Sequence, residues 1–117
     1  MKRFFIVVVL LFAFCSLASA QTATTHNVTL SWTDTLNPAT GTTYSVYRAT
    51  GLCSGTPTFS KIATALTAKT YSDTTVTPGP YCYTVTATFN GVESAQSNTV
   101  QPNVPAFVPS GLTFTVQ

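Results

Sequence analysis

At 117 residues the chain is long enough for one small domain and too short for two of ordinary size. Hydrophobic residues make up 44% and charged residues only 7%, with a formal net charge of +2, which excludes a disordered chain, a basic footprint for nucleic acid and a polybasic patch for anionic lipid. One His (His26) and three acids leave few parts for acid–base catalysis.

The first twenty residues read as an address. Met1-Lys2-Arg3 is a short basic start, Phe4 to Phe14 is unbroken apolar sequence, and Ser16-Leu17-Ala18-Ser19-Ala20 supplies small residues where a signal peptidase reads. This pattern predicts a secretory signal peptide over 1–20, cleaved after Ala20, and a secreted, extracellular or cell-surface product. A membrane anchor is the competing reading, but the run is short of the roughly 20 apolar residues that a span needs. A lipoprotein signal built on Cys15 would need a small residue before it, and Phe14 stands there. With Lys2 and Arg3 removed, Arg48, Lys61 and Lys69 balance Asp34, Asp73 and Glu93.

From residue 21 onward the chain reads as strands. Thr is abundant, and Thr with aromatics suits a pleated, half-buried surface. Val28, Leu30 and Trp32 alternate with Thr29, Ser31 and Thr33. Tyr44 and Val46 alternate with Thr43, Ser45 and Tyr47. Tyr81, Tyr83, Val85 and Ala87 alternate with Cys82, Thr84, Thr86 and Thr88. Each run is a strand with one apolar and one polar face. Turn signals separate them at Asn37-Pro38, Gly51, Gly55, Pro78-Gly79-Pro80 and Asn90-Gly91, the last being the strongest hairpin signal. No stretch carries a helical repeat, so the expected class is all-β, an antiparallel sandwich.

These segments, in this order, resemble a fibronectin type III domain. His26-Asn27-Val28-Thr29-Leu30-Ser31-Trp32 resembles the second strand of that family with its core Trp, and Tyr44-Ser45-Val46-Tyr47-Arg48 its third. Thr70-Tyr71-Ser72-Asp73-Thr74 resembles the fifth, Pro78–Ala87 the turn and sixth, and Glu93–Val100 the last. The resemblance implies an immunoglobulin-like sandwich over 21–101. It places Trp32, Tyr44, Val46, Tyr83 and Val85 between the sheets and makes Tyr81 the tyrosine-corner residue. Two departures stand out. The first strand is missing at the N-terminus, because Gln21–Thr25 is polar and lacks alternation. At the other end, a Pro-punctuated linker over 102–109 leads into a segment over 110–117 in which Leu112, Phe114 and Val116 alternate with Thr113, Thr115 and Gln117. That segment resembles the first strand of such a domain.

Cys53 and Cys82 are the cysteines left after cleavage, and an even count in an exported chain points to a disulfide, with two free thiols as the alternative. In the fold that the resemblance implies, the third and sixth strands are antiparallel neighbours, which puts both cysteines at the same pole. Two cysteines and a distant His fall short of a metal site, no cofactor motif is present, and Asp34, Asp73 and Glu93 read as isolated, the last two in turn-like contexts. His26 reads as an exposed residue at a strand entry. No catalytic residues are expected, and the chain is expected not to be an enzyme. Asn27-Val28-Thr29 is a formal glycosylation sequon.

Two non-catalytic functions fit these features. One is a self-associating structural or adhesive subunit whose C-terminal strand, through Phe107, Leu112, Phe114 and Val116, completes the sandwich of another copy and so builds a filament. The other is a monomeric binding module for a cell-surface glycan or protein, using the loops around Asn37–Gly41 and Asn90–Gly91, or the truncated start of a tandem-domain protein. The strand could pair in trans, in cis or not at all.

Overall fold

Alternation decides the first strand: Val28 and Leu30 turn inward and Thr29 and Ser31 outward along β1 (His26–Ser31). The computed structural model describes residues 24–117. The expected signal peptide over 1–20 and residues 21–23 lie outside the described residues. Six more strands follow: β2 (Thr43–Thr50), β3 (Ser60–Leu66), β4 (Thr70–Val76), β5 (Gly79–Phe89), β6 (Val92–Glu93) and β7 (Asn103–Val104). All pairings are antiparallel. Among the described residues β1 pairs only with β4, and the second sheet runs β3-β2-β5-β6, with β7 also on β5. This is the all-β, immunoglobulin-like sandwich that the sequence implies.

Between the sheets lies a core of Leu30, Val46, Val76, Tyr81, Tyr83 and Val104, with Val28, Trp32, Ile62, Leu66, Tyr71 and Val85 packed against it. Of the expected core residues, Tyr44, Val46, Tyr81 and Tyr83 are buried. Trp32 and Val85 are only half-buried, because no strand among the described residues covers their side of the sandwich. The β5–β6 hairpin turns on Asn90 and Gly91, both at positive φ (50° and 76°), the left-handed pair that a two-residue turn requires.

Three features differ from the sequence reading. β3 lacks period-2 alternation because it is bulged. Tyr44 faces Leu66, Val46 faces Ala63 and Tyr47 faces Lys61, so β3 carries an extra residue at each of the two steps, and Ala65 takes up a left-handed φ of 55°. Second, the stretch read as linker begins as a strand. Val104 pairs with Gly79 and is buried in the core, so the domain runs past residue 101. Pro102 and Pro105 flank this short edge strand, a position where proline is tolerated. Third, the last strand is interrupted. Between β6 and β7 the Ser94 and Ser97 hydroxyls take the N–H groups of Ala87 and Val85 in place of main-chain carbonyls.

Ser110–Gln117 forms no strand and pairs with nothing among the described residues. An extended segment becomes a strand only when another edge satisfies its N–H and C=O groups.

Candidate functional site

The open side of β1 is defined by hydrogen-bond parity. Trp32 N–H donates to the Lys69 carbonyl (3.1 Å), and the Leu30 carbonyl accepts from Thr70 Oγ1 (2.9 Å), so these residues face β4. Alternation then turns the main-chain groups of Thr29 and Ser31 away from β4. No strand covers that edge among the described residues. Beside it, between β1, β5 and the 94–100 segment, lies a cleft of about 700 Å³. Leu30, Trp32, Tyr44, Val85, Ala87 and Val100 give it an apolar floor, and Asp34, Asn37 and Thr84 lie at its margins. Trp32 meets Tyr44 edge to face, with ring centroids 5.5 Å apart.

Leu112, Phe114 and Val116 are 97%, 89% and 85% exposed. Phe107 behaves differently from the other three residues expected to self-associate. Its ring stacks on His26 at 4.2 Å, with the planes 5° apart. β7 delivers the chain to the pole where β1 begins, which brings the two rings together. His26 is therefore half-buried under Phe107 rather than an exposed entry residue, and its Nε2 is buried without a hydrogen-bond partner.

All three carboxylates are engaged, contrary to the expectation that they are isolated. Asp34 accepts from the Asn37 and Leu36 N–H groups (3.1 Å each), Asn37 Nδ2 (2.9 Å) and the Tyr44 hydroxyl (3.1 Å). These bonds, led by that from the Asn37 N–H, hold its pKa down at about 2. Asp73 is a strand residue, only 2% exposed, and accepts from Arg48 Nη1 (2.7 Å), the Tyr83 hydroxyl (2.9 Å) and Thr75. Burial alone would raise its pKa. The bonds from Thr75, Tyr83 and Arg48 outweigh that and hold it below the ordinary carboxylate value. Glu93 accepts from Thr86 Oγ1 (2.6 Å) and the Tyr47 hydroxyl, which lower its pKa, and Lys61 lies 3.6 Å away. The described residues contain no cluster of three His, Cys, Asp or Glu side chains that could hold a metal.

Cys53 and Cys82 are bonded, with Cα atoms 5.0 Å apart. Ala49 pairs with Cys82 at the end of β2, and the loop that follows brings Cys53 back over β5. Tyr81 forms the corner: its hydroxyl accepts from the Thr77 N–H (3.1 Å) and bonds Thr77 Oγ1 (3.1 Å). At the pole where β5 ends, the Asn37–Gly41 and Asn90–Gly91 loops are neighbours, and a Cβ on Gly41 would stand 3.4 Å from the Phe89 ring. No helix among the described residues is long and apolar enough to cross a membrane.

An antiparallel two-sheet sandwich with a tyrosine corner defines an immunoglobulin-like module. The crystal structure of an Fn3-like protein from Clostridium thermocellum is 34% identical, covering 71% of this chain and 81% of that one, with a TM-score of 0.53. A human FNIII domain, the fourth of its protein, is 20% identical over 78% of this chain and 76% of that one, with a TM-score of 0.58, a likeness of fold. The chain belongs to the fibronectin type III-like family. No protein-family model and no curated protein matches it. Domains of this family are generally binding or structural modules rather than catalysts.

Proposed function

We propose that this protein is an exported, non-catalytic structural or adhesive subunit that assembles head to tail, through its C-terminal segment, into a surface or extracellular filament. One observation carries the reading: a sheet edge left uncovered among the described residues, over an apolar cleft, and an exposed segment with three alternating apolar side chains occur in one chain. Exposed edges are templates for another strand, and strand addition is a recurring mode of recognition. Burying Leu112, Phe114 and Val116 is worth roughly 5–8 kcal/mol before ordering costs. A contact between two different surfaces of one subunit propagates a filament unless its rotation closes a ring. The N-terminal signal pattern and the disulfide support export to an oxidising compartment.

Light scattering on gel-filtered protein tests this reading. The full chain, produced by export, should form species whose mass grows with concentration. Deletion of Phe107–Gln117, or Phe114→Asp in the full chain, should reduce it to a monomer. If the full chain stays a monomer at high concentration and neither change alters its mass or stability, the reading fails. The function then passes to a monomeric module that binds glycan or protein through the paired loops at Asn37–Gly41 and Asn90–Gly91.

A further inference from the structure

Resting on the head-to-tail reading, we infer that the tail of a second copy adds to β1 as an antiparallel strand in one fixed register, with Thr113 opposite Ser31 and Thr115 opposite Thr29. The partner is another copy of this chain, and the surface is the outer edge of β1 together with the cleft beneath it.

The register follows from two constraints. On β1, Thr29 and Ser31 hold the outward N–H and C=O groups, because Trp32 and Leu30 spend theirs on β4. An antiparallel partner must therefore place its own hydrogen-bonding residues opposite Thr29 and Ser31. Residues directly opposite each other point their side chains to the same face. The Thr29 and Ser31 side chains are exposed, whereas Val28, Leu30 and Trp32 point inward. On the tail, Thr113 and Thr115 are polar, while Leu112, Phe114 and Val116 are apolar. A one-residue slip would put the apolar side chains in solvent. Slips of two residues keep the faces correct but leave one of Leu112 or Val116 beyond the inward-facing stretch. Only one register puts Leu112 opposite Trp32, Phe114 opposite Leu30 and Val116 opposite Val28.

Direction then requires a second molecule. The chain leaves the domain at the pole where β1 begins, with Phe107 against His26. In this register Leu112 lies at the other end of β1, beside Trp32, about 20 Å from His26 at roughly 3.3 Å per residue. Five residues from Phe107 to Leu112 reach at most about 17 Å, and the segment would then have to reverse to run antiparallel. Running straight back along its own β1, it would be parallel. The antiparallel partner of β1 arrives at the Trp32 end, from a different copy.

Disulfide trapping between separately made single-cysteine variants of the full chain tests the register. Mixtures of Ser31→Cys with Thr113→Cys, and of Thr29→Cys with Thr115→Cys, should cross-link readily under mild oxidation. The slipped mixture of Ser31→Cys with Thr115→Cys should not, because diagonal neighbours lie about 7–8 Å apart and a disulfide needs Cα atoms within about 7 Å. Loss of assembly on deleting Phe107–Gln117, checked in parallel, reports the head-to-tail reading separately. If assembly depends on the tail but the slipped mixture links as fast as the matched ones, or no mixture links, the register is wrong and the head-to-tail reading survives. If assembly does not depend on the tail, both fall. Cross-linking confined to the matched mixtures supports both.

Discussion

Arg48 on β2 and Asp73 on β4 meet at 2.7 Å across the two sheets, and the Tyr83 hydroxyl on β5 joins the same carboxylate at 2.9 Å. One buried acid thus ties together three strands of a sandwich that has few other charges. Burial and the adjacent carboxylate also push the Tyr83 phenol well above its ordinary pKa, so it stays a donor at any ordinary pH.

Asp73→Ala should therefore be among the most damaging single changes. It leaves the Arg48 guanidinium and the Tyr83 hydroxyl without their acceptor, and breaking one side of a buried pair costs about 3–5 kcal/mol. Urea denaturation checks this. A midpoint equal to that of the parent would mean that the pair contributes nothing. Arg48→Met should cost less, because Arg48 is partly exposed and Asp73 keeps its bonds from Thr75 and Tyr83.

The disulfide closes a loop over a sequence separation of 29, which is worth about 3–4 kcal/mol in the chain-entropy account. A domain of this size has only about 5–10 kcal/mol in all. Replacing both Cys53 and Cys82 by Ala should lower the thermal midpoint sharply without changing the fold seen by circular dichroism. Two alkylatable thiols in the unreduced, denatured parent would show that the bond is absent in solution.

Strands with clean alternation were legible from sequence: β1, β2 and β5 fall where Val28/Leu30, Tyr44/Val46 and Tyr81/Tyr83/Val85 place them. The Cys53–Cys82 pairing was legible from the even cysteine count and the strand neighbours that the family resemblance implies, and the Tyr81 corner from that resemblance. β3 was not legible, because the bulge at Ala65 breaks the period on which the reading depends. Val104 was hidden by its flanking prolines, which read as linker although an edge strand accepts them. Asp73 looked like a turn residue beside Ser72 and Thr74, and local sequence carries no sign of Arg48 and Tyr83, 25 and 10 residues away. The missing first strand was read from the lack of an alternating segment before His26, but the cleft was not legible, because its shape depends on how far the two sheets stand apart.

Acid should destabilise the domain in a defined window. Asp34, Asp73 and Glu93 all have folded pKa values below their ordinary ones. A depressed folded pKa means that the stabilisation is complete above the unfolded value and is lost as pH falls through the folded one. For Asp34 that interval runs from its ordinary 3.8 down to about 2. Stability measured by urea titration should therefore be nearly flat between about pH 5 and 7 and fall steadily below about pH 4. Asp34→Asn should shallow that fall. An acid limb of the same slope in this variant would mean that the hydrogen bonds around Asp34 do not persist in solution.

Trp32 is the only tryptophan in the chain, half-buried on the floor of the cleft, and so it reports directly on whether the cleft is filled. Trp32→Ala in an isolated molecule should cost roughly 2–3 kcal/mol, below the 3–5 typical of a fully enclosed aromatic, because one side of the ring already faces open space. Tyr81→Phe, at the closed corner, should cost roughly 1–2 kcal/mol by removing the acceptor of the Thr77 N–H. If, as the head-to-tail proposal requires, a second copy lays Leu112 and Phe114 over the cleft, the indole passes from a partly wet to an apolar surrounding. Its fluorescence should then shift to shorter wavelength as protein concentration rises. The Phe107–Gln117 deletion should show no such shift at any concentration, and a synthetic peptide spanning Val108–Gln117 should restore it in a saturable way. Emission that is independent of concentration in the full chain, with no response of the deleted chain to the peptide, would place the tail somewhere other than this cleft.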